Sequence, residues 1–172
     1  MVDDRPKLLE GTFIAEPRGE VYRGLISFLA TTAHRALLVE RVLHTQDGTV
    51  LGGFSPEGEH LRVRLDPWCV VEEQRSEWPG TRLLRSTALV REYAPSAEVI
   101  SALQTSVEGL YEWQGGLPED LAFLREDGEA MMLAISHESD GCVVLYREEW
   151  DRLLQECSGI ARCLERSPSG FR

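Results

Sequence analysis

The chain has 172 residues, enough for one domain or two small lobes sharing a core, and its 42% hydrophobic content excludes wholesale disorder. No run of ~18 apolar residues occurs, which excludes a transmembrane helix. The net charge of −11 is uneven: residues 1–86 carry 11 basic and 13 acidic side chains, residues 87–172 carry 7 and 16. The acidic second half would repel a phosphate backbone or an anionic membrane; it suits a basic protein surface, although the favoured reading of the charge by itself is that it keeps a small protein in solution.

Four cysteines, Cys69, Cys142, Cys157 and Cys163, lack CxxC spacing. They predict reduced, mostly buried thiols in a cytoplasmic protein, with neither a disulfide framework nor a structural zinc site. The opening MVDDRPKLLEG has no apolar segment of the secretory kind, and the closing SPSGFR carries no lipidation signal. Lys7 is the single lysine beside 17 arginines, a compositional bias with no function read into it.

Residues 1–18 form a polar arm with one short strand expected near Thr12 to Ala15. From Glu20 to His34, Val21, Leu25, Phe28, Leu29 and Thr32 recur at helical spacing. Gly24 and Thr31-Thr32 oppose a helix, so a strand is the alternative. A hairpin follows, with its turn at Asp47-Gly48 and a weakened second strand or bulge at Gly52-Gly53. A turn at Pro56-Glu57-Gly58 then leads into HLRVRLD, where Leu61, Val63 and Leu65 alternate with charged residues as in a half-buried strand.

A further short strand is expected over Trp68 to Val71. The loop QRSEWPG turns at Pro79-Gly80, and Arg82 to Tyr93 returns to a strand pattern. Ser96 caps the clearest helix, whose apolar face is Val99, Ile100, Leu103, Val107, Leu110 and Tyr111. Gly115-Gly116 ends it and Pro118 prevents its resumption. Two Asp-Gly pairs, Asp127-Gly128 and Asp140-Gly141, then divide three β-prone runs into a meander, with strands expected near 121–126, 130–137 and 142–147. A last helix runs from Glu148 to Cys157, with Glu148 and Glu149 in its first turn.

Each half therefore has the outline of a helix followed by three strands, taken as two meanders without common origin. The predicted fold is α+β: an antiparallel sheet built from two hairpin meanders, with helices packed mainly on one face. The expected domain spans 19–158, with sublobes 19–93 and 94–158, followed by a polar tail over 159–172.

Chemistry-bearing residues concentrate at Ser136-His137-Glu138-Ser139-Asp140. His137 with Glu138 is the candidate catalytic pair. Strand alternation is expected to point the two apart, which counts against a dyad formed locally, unless the strand ends before them. The scattered His34, His44, His60 and His137 predict no metal site, and no nucleophile elbow or phosphate loop occurs. Glu119, Asp120, Glu126 and Glu129 predict an acidic contact surface. Glu126 and Glu129 are expected opposite each other across the turn, where like charges mildly destabilise. Trp78, in its Glu-Trp-Pro-Gly loop, is either an exposed anchor for a partner or, the favoured reading, a cap on the core.

The leading expectation is a soluble acidic binding protein with a basic protein partner, such as an inhibitor or a toxin-neutralising protein. It needs no cofactor, nucleic acid or membrane. The alternative is a small hydrolase or transferase using His137 with a nearby carboxylate. A third is a small-molecule binding domain with its site in the sheet–helix cleft.

Overall fold

A computed structural model describes residues 7–40, 43–44, 50–51 and 53–166 of the chain. Strand β1 (Leu8–Phe13) is followed by helix α1 (Gly19–Ala30), strands β2 (Arg35–Glu40), β3 (Leu43–His44) and β4 (Val50–Leu51), and helix α2 (Pro56–Leu65). Next come strands β5 (Cys69–Arg75), β6 (Glu77–Trp78), β7 (Thr81–Arg82) and β8 (Ala88–Tyr93), then helix α3 (Ala97–Ser106). Strands β9 (Glu119–Leu124), β10 (Ala130–Ile135) and β11 (Asp140–Tyr146), helix α4 (Arg147–Glu156) and strand β12 (Leu164–Arg166) complete the order.

Eight strands make one antiparallel sheet in the order β12-β1-β11-β10-β9-β2-β8-β5. The α+β class and the antiparallel sheet are as the sequence predicts. The segments expected as polar arm and tail contribute β1 and β12, which pair with each other. Among the described residues, no helix is long and apolar enough to cross a membrane.

Strand alternation splits the apolar residues between two faces. Ala36, Leu38, Leu121, Phe123, Ala134, Val143 and Leu145 join Tyr22, Leu25, Leu29, Val99, Leu103, Trp113, Trp150 and Leu153 in the larger core, under the helices. Gly24 lets α1 approach the α4 end: a Cβ there would stand 3.0 Å from Cys157 Sγ. Tyr22 donates to Leu103 O and accepts from the Trp113 indole at 3.0 Å, so this aromatic core is also hydrogen-bonded. On the opposite face Leu37, Val39, Val90, Ala122 and Leu124 form a second cluster with Trp78. Trp78 belongs to a hairpin arm, β6–β7, that turns at Pro79-Gly80, with Gly80 at φ 83°.

Four local expectations are corrected. Residues 56–65 form a helix, not a turn and a strand. Ser55 accepts from Gly58 N at 3.1 Å as N-cap, Pro56 sits in the first turn, and Leu61 and Leu65 share its buried side while Val63 is exposed. The SPEGEH turn therefore starts a helix, and the two halves do not match there. Helix α3 stops at Ser106, before Val107, Leu110 and Tyr111. Thr105 and Ser106 bond back to the carbonyls of Ser101 and Ala102, and the chain then pairs with the N-terminal segment through Gly19 N to Glu108 O and Leu110 N to Pro17 O.

The third and fourth concern the meander, which forms with shifted turns. At the first, Arg125 and Glu129 pair across Glu126-Asp127-Gly128, so Glu129 faces Arg125 and not Glu126. At the second, Asp140 and Gly141 already belong to β11, opposite Ile135 and Ala134. A Cβ on Gly141 would lie 2.5 Å from Leu133 O, so this glycine serves close strand approach rather than the turn. The β3 and β4 strands pair as expected, but the Asp47-Gly48 turn and Gly52 lie outside the described residues.

Leu103, on α3, is fully buried in the core under the helices. Leu103→Ala is expected to lower stability by about 2–5 kcal/mol through cavity formation. Val63→Ala, on an exposed side chain, should stay within about 0.5 kcal/mol. Urea denaturation of both variants checks this, and equal midpoints would place α3 outside the cooperative core.

Candidate functional site

The β9 strand begins with a distortion. Leu37 pairs with Ala122 and Val39 with Glu119, so β9 places Asp120 and Leu121 against the single residue Leu38. This is a β-bulge, and Asp120 takes a left-handed φ of 54° within it. Glycine is the usual residue at such a position. An aspartate tolerates it better than most others, at some strain.

The bulge sets the Asp120 carboxylate inside the protein, 1% exposed. Oδ2 accepts from the Trp78 indole at 3.0 Å and from the Thr81 hydroxyl at 3.4 Å, and Oδ1 accepts from Ser136 N at 3.0 Å. Two of these donors belong to the arm and the third to the end of β10. Asp120 therefore fastens the arm to the sheet and also holds the start of the β10–β11 connection. Ser136 is itself buried, and Gln114 donates to its carbonyl at 3.3 Å.

Strand β10 ends at Ile135, and Ser136–Glu138 form a 3-10 turn closed by Ser139 at φ 52°. Because the strand stops there, His137 and Glu138 are not forced apart: Nε2 and Oε1 lie 3.5 Å from each other, both side chains well exposed. One nitrogen of His137 and one oxygen each from Glu119 and Asp120 also lie within 4.8 Å of one another. Those three side chains could hold a divalent cation, with Trp78, Thr81 and Ser136 orienting the carboxylate as outer-shell donors do. They could equally place an imidazole beside carboxylates for proton transfer.

The residues chosen from sequence thus separate into two groups. Trp78, Glu119, Asp120, His137 and Glu138 gather at one end of β9. Glu126 and Glu129 are exposed at the other end, roughly 20 Å away at ~3.3 Å per strand residue. The acidic surface expected from all four carboxylates is not contiguous. Trp78 is 6% exposed and Asp120 is buried, so neither is presented to a partner. The core-cap reading of Trp78 describes its position.

Thr81 has no signal in the sequence, Ser136 stands out there only as a member of the polar cluster, and Tyr111 only as part of an apolar helix face. Tyr111 lies beside this end with its hydroxyl buried. Burial first, then the charges of Asp140 and Glu16, push its phenol up to about 12. The chain matches no protein family model, no curated protein and no solved structure.

Asp120→Asn turns one acceptor oxygen into an NH2 group that must face a donor. The variant is expected to lose on the order of 2–3 kcal/mol, and the Trp78 indole proton should exchange much faster with solvent. Glu138→Gln, on an exposed side chain, should change neither. Denaturation together with exchange of the indole protons tests this, and an unchanged Trp78 exchange rate in Asp120→Asn would show that the arm is held by other contacts.

Proposed function

We propose that the protein is a non-catalytic binding protein that receives a basic protein partner on the open half of its sheet. The observation that carries this is that, among the described residues, the second face is incompletely covered. The arm lies over β8, β2 and β9 and reaches β10, where Gly80 approaches Leu133 and Ile135. Beyond it, the same face continues across β11 and β1.

There the register sets Leu8 beside Tyr146, Glu10 beside Val144, Thr12 beside Cys142 and Asp140 beside Ile135. Ile135, Cys142, Val144 and Tyr146 are half-buried and Leu8 is exposed. Glu10 lies within this face, and Asp140 and Glu138 stand at its end. An apolar centre with a charged rim is the usual anatomy of a protein interface, and a rim of one sign selects a partner of the other. The acidic turn is supported from behind by the Asp120 carboxylate, so it is presented with little freedom to lose on binding. An inhibitory or toxin-neutralising role would suit such a surface. Cytoplasmic placement belongs to the same proposal, since Cys69, Cys142, Cys157 and Cys163 are all free thiols.

A second reading rests on a separate observation, the 3.5 Å approach of His137 to Glu138 with Glu119 and Asp120 close by. In that reading His137 is the base of a small hydrolase or transferase and a carboxylate orients it.

A synthetic peptide alternating arginine and leucine, titrated across salt concentrations, separates the two. Binding is expected to saturate at low salt and to weaken as salt rises. The Glu138→Gln/Asp140→Asn double variant should bind several-fold more weakly with a flatter salt dependence, and His137→Ala should bind as the parent does. Failure to saturate, or loss of binding in His137→Ala beside an unaffected double variant, would overturn the proposal.

A further inference from the structure

A cavity of about 380 Å³ opens between the arm and the sheet, at the end away from Asp120. Leu37, Val71 and Leu124 supply its apolar lining, Pro79 of the arm's turn closes one side, and Arg35, Arg75 and Arg125 contribute to the wall. The volume suits a small organic molecule, since such sites run from ~300 to 1,000 Å³.

The charge of the cavity decides which molecule. Arg75 is paired with Glu73 and with Glu92, each at 2.9 Å. Arg125 is held by both oxygens of Glu149, at 2.9 and 2.6 Å, and lies over the Tyr146 ring. Both guanidinium charges are therefore already neutralised. Arg35 differs. Its side chain donates to the His34 carbonyl at 3.0 Å, and among the described residues no ion pair links it to a carboxylate. Arg35 thus offers a free guanidinium beside an apolar surface, while Glu126 is the lining carboxylate that likewise has no ion pair among the described residues, so the matching ligand places one carboxylate at Arg35, away from Glu126, on an apolar body. A second negative charge would meet Glu92 and Glu126, which also line the cavity.

We infer that this cavity binds a small monocarboxylate with a hydrocarbon body. The carboxylate takes two hydrogen bonds from the Arg35 guanidinium, whose planar fork matches it. The hydrocarbon lies on Leu37, Val71 and Leu124. His34 and Pro79 bound the site.

The test is calorimetric titration of the whole chain with 4-phenylbutyrate and with its neutral amide, 4-phenylbutyramide. The acid is expected to bind saturably and at least about tenfold more tightly than the amide. Arg35→Gln should bring the acid down to the level of the amide. Arg85→Gln, on an exposed loop arginine that does not line this cavity, should leave acid binding unchanged. Circular dichroism melts of both variants keep folding separate from binding, because Arg35 lies at the start of β2 and is only half-buried. Equal binding of acid and amide, no saturation by the acid, or full acid binding in a folded Arg35→Gln variant would each overturn the inference.

Discussion

A carboxylate taken out of water must be surrounded by donors, and Asp120 finds its three in segments far apart in the chain. Trp78 and Thr81 come from about 40 residues before it, and Ser136 from 16 residues after it. In the folded chain these contacts coincide with the pairing of β9 beside β2, where the bulge turns the side chain toward the arm. Once formed, they decide what the second face of the sheet looks like. The arm covers the cluster of Leu37, Val39, Val90 and Ala122, and the turn after β10 is held at its first residue. Strain at Asp120 and at Ser139 is confined to this assembly: among the described residues, they are the two non-glycine positions with positive φ.

A different network secures the edge beyond β2. Arg91, 5% exposed, lies between Glu40, Asp66 and Glu72, and Arg62 of α2 also reaches Glu40. Burial pushes the Glu40 carboxyl up, and the attraction of Arg91 and Arg62 opposes that shift. One nitrogen of Arg91 has no hydrogen-bond partner, so the network compensates its charges without satisfying every polar atom. Such networks seldom add much net stability against an apolar equivalent, yet removing one member leaves a buried charge alone. This one ties α2 to β2, β8 and β5, and thereby fixes the edge strand that borders the cavity at Val71.

The parts of the fold that were legible in the sequence are those specified locally. Asp127-Gly128 lies in a tight turn because glycine takes φ 88° there, and Ser96 caps α3 because its hydroxyl meets Val99 N. The errors share a different cause. Leu61, Val63 and Leu65 satisfy a strand's alternation, but Leu61 and Leu65 also satisfy a helix's i,i+4 spacing, and the capping residues at Ser55-Pro56 decide between them. Gly141 looks like a turn residue but serves the close approach of β10. Helix α3 ends early because the segment after it pairs with Pro17 and Gly19, a contact no local window contains. β1 likewise exists as a strand because β11 pairs with it, and β12 because β1 does. The candidate site is half legible for the same reason. His137 and Glu138 stand out by composition, whereas the Asp120 bulge and its donors arise only from tertiary placement.

The same placement limits what the acidity of the second half can do. Net charge alone treats Glu119, Glu126 and Glu129 as one surface, but the length of β9 separates them and Arg125 stands opposite Glu129. What acts on a partner is the charge that remains uncompensated at a given place. By that measure the end bearing Glu138 and Asp140 is acidic, and the opposite end of the second face contains Arg35, which has no ion pair among the described residues. One sheet face thus carries an apolar, acid-rimmed half and a small cavity of mixed charge with Arg35 in its wall, divided by the arm. The position of that arm rests on Asp120, so the division between the two surfaces depends on one buried carboxylate rather than on the residues that would touch either ligand.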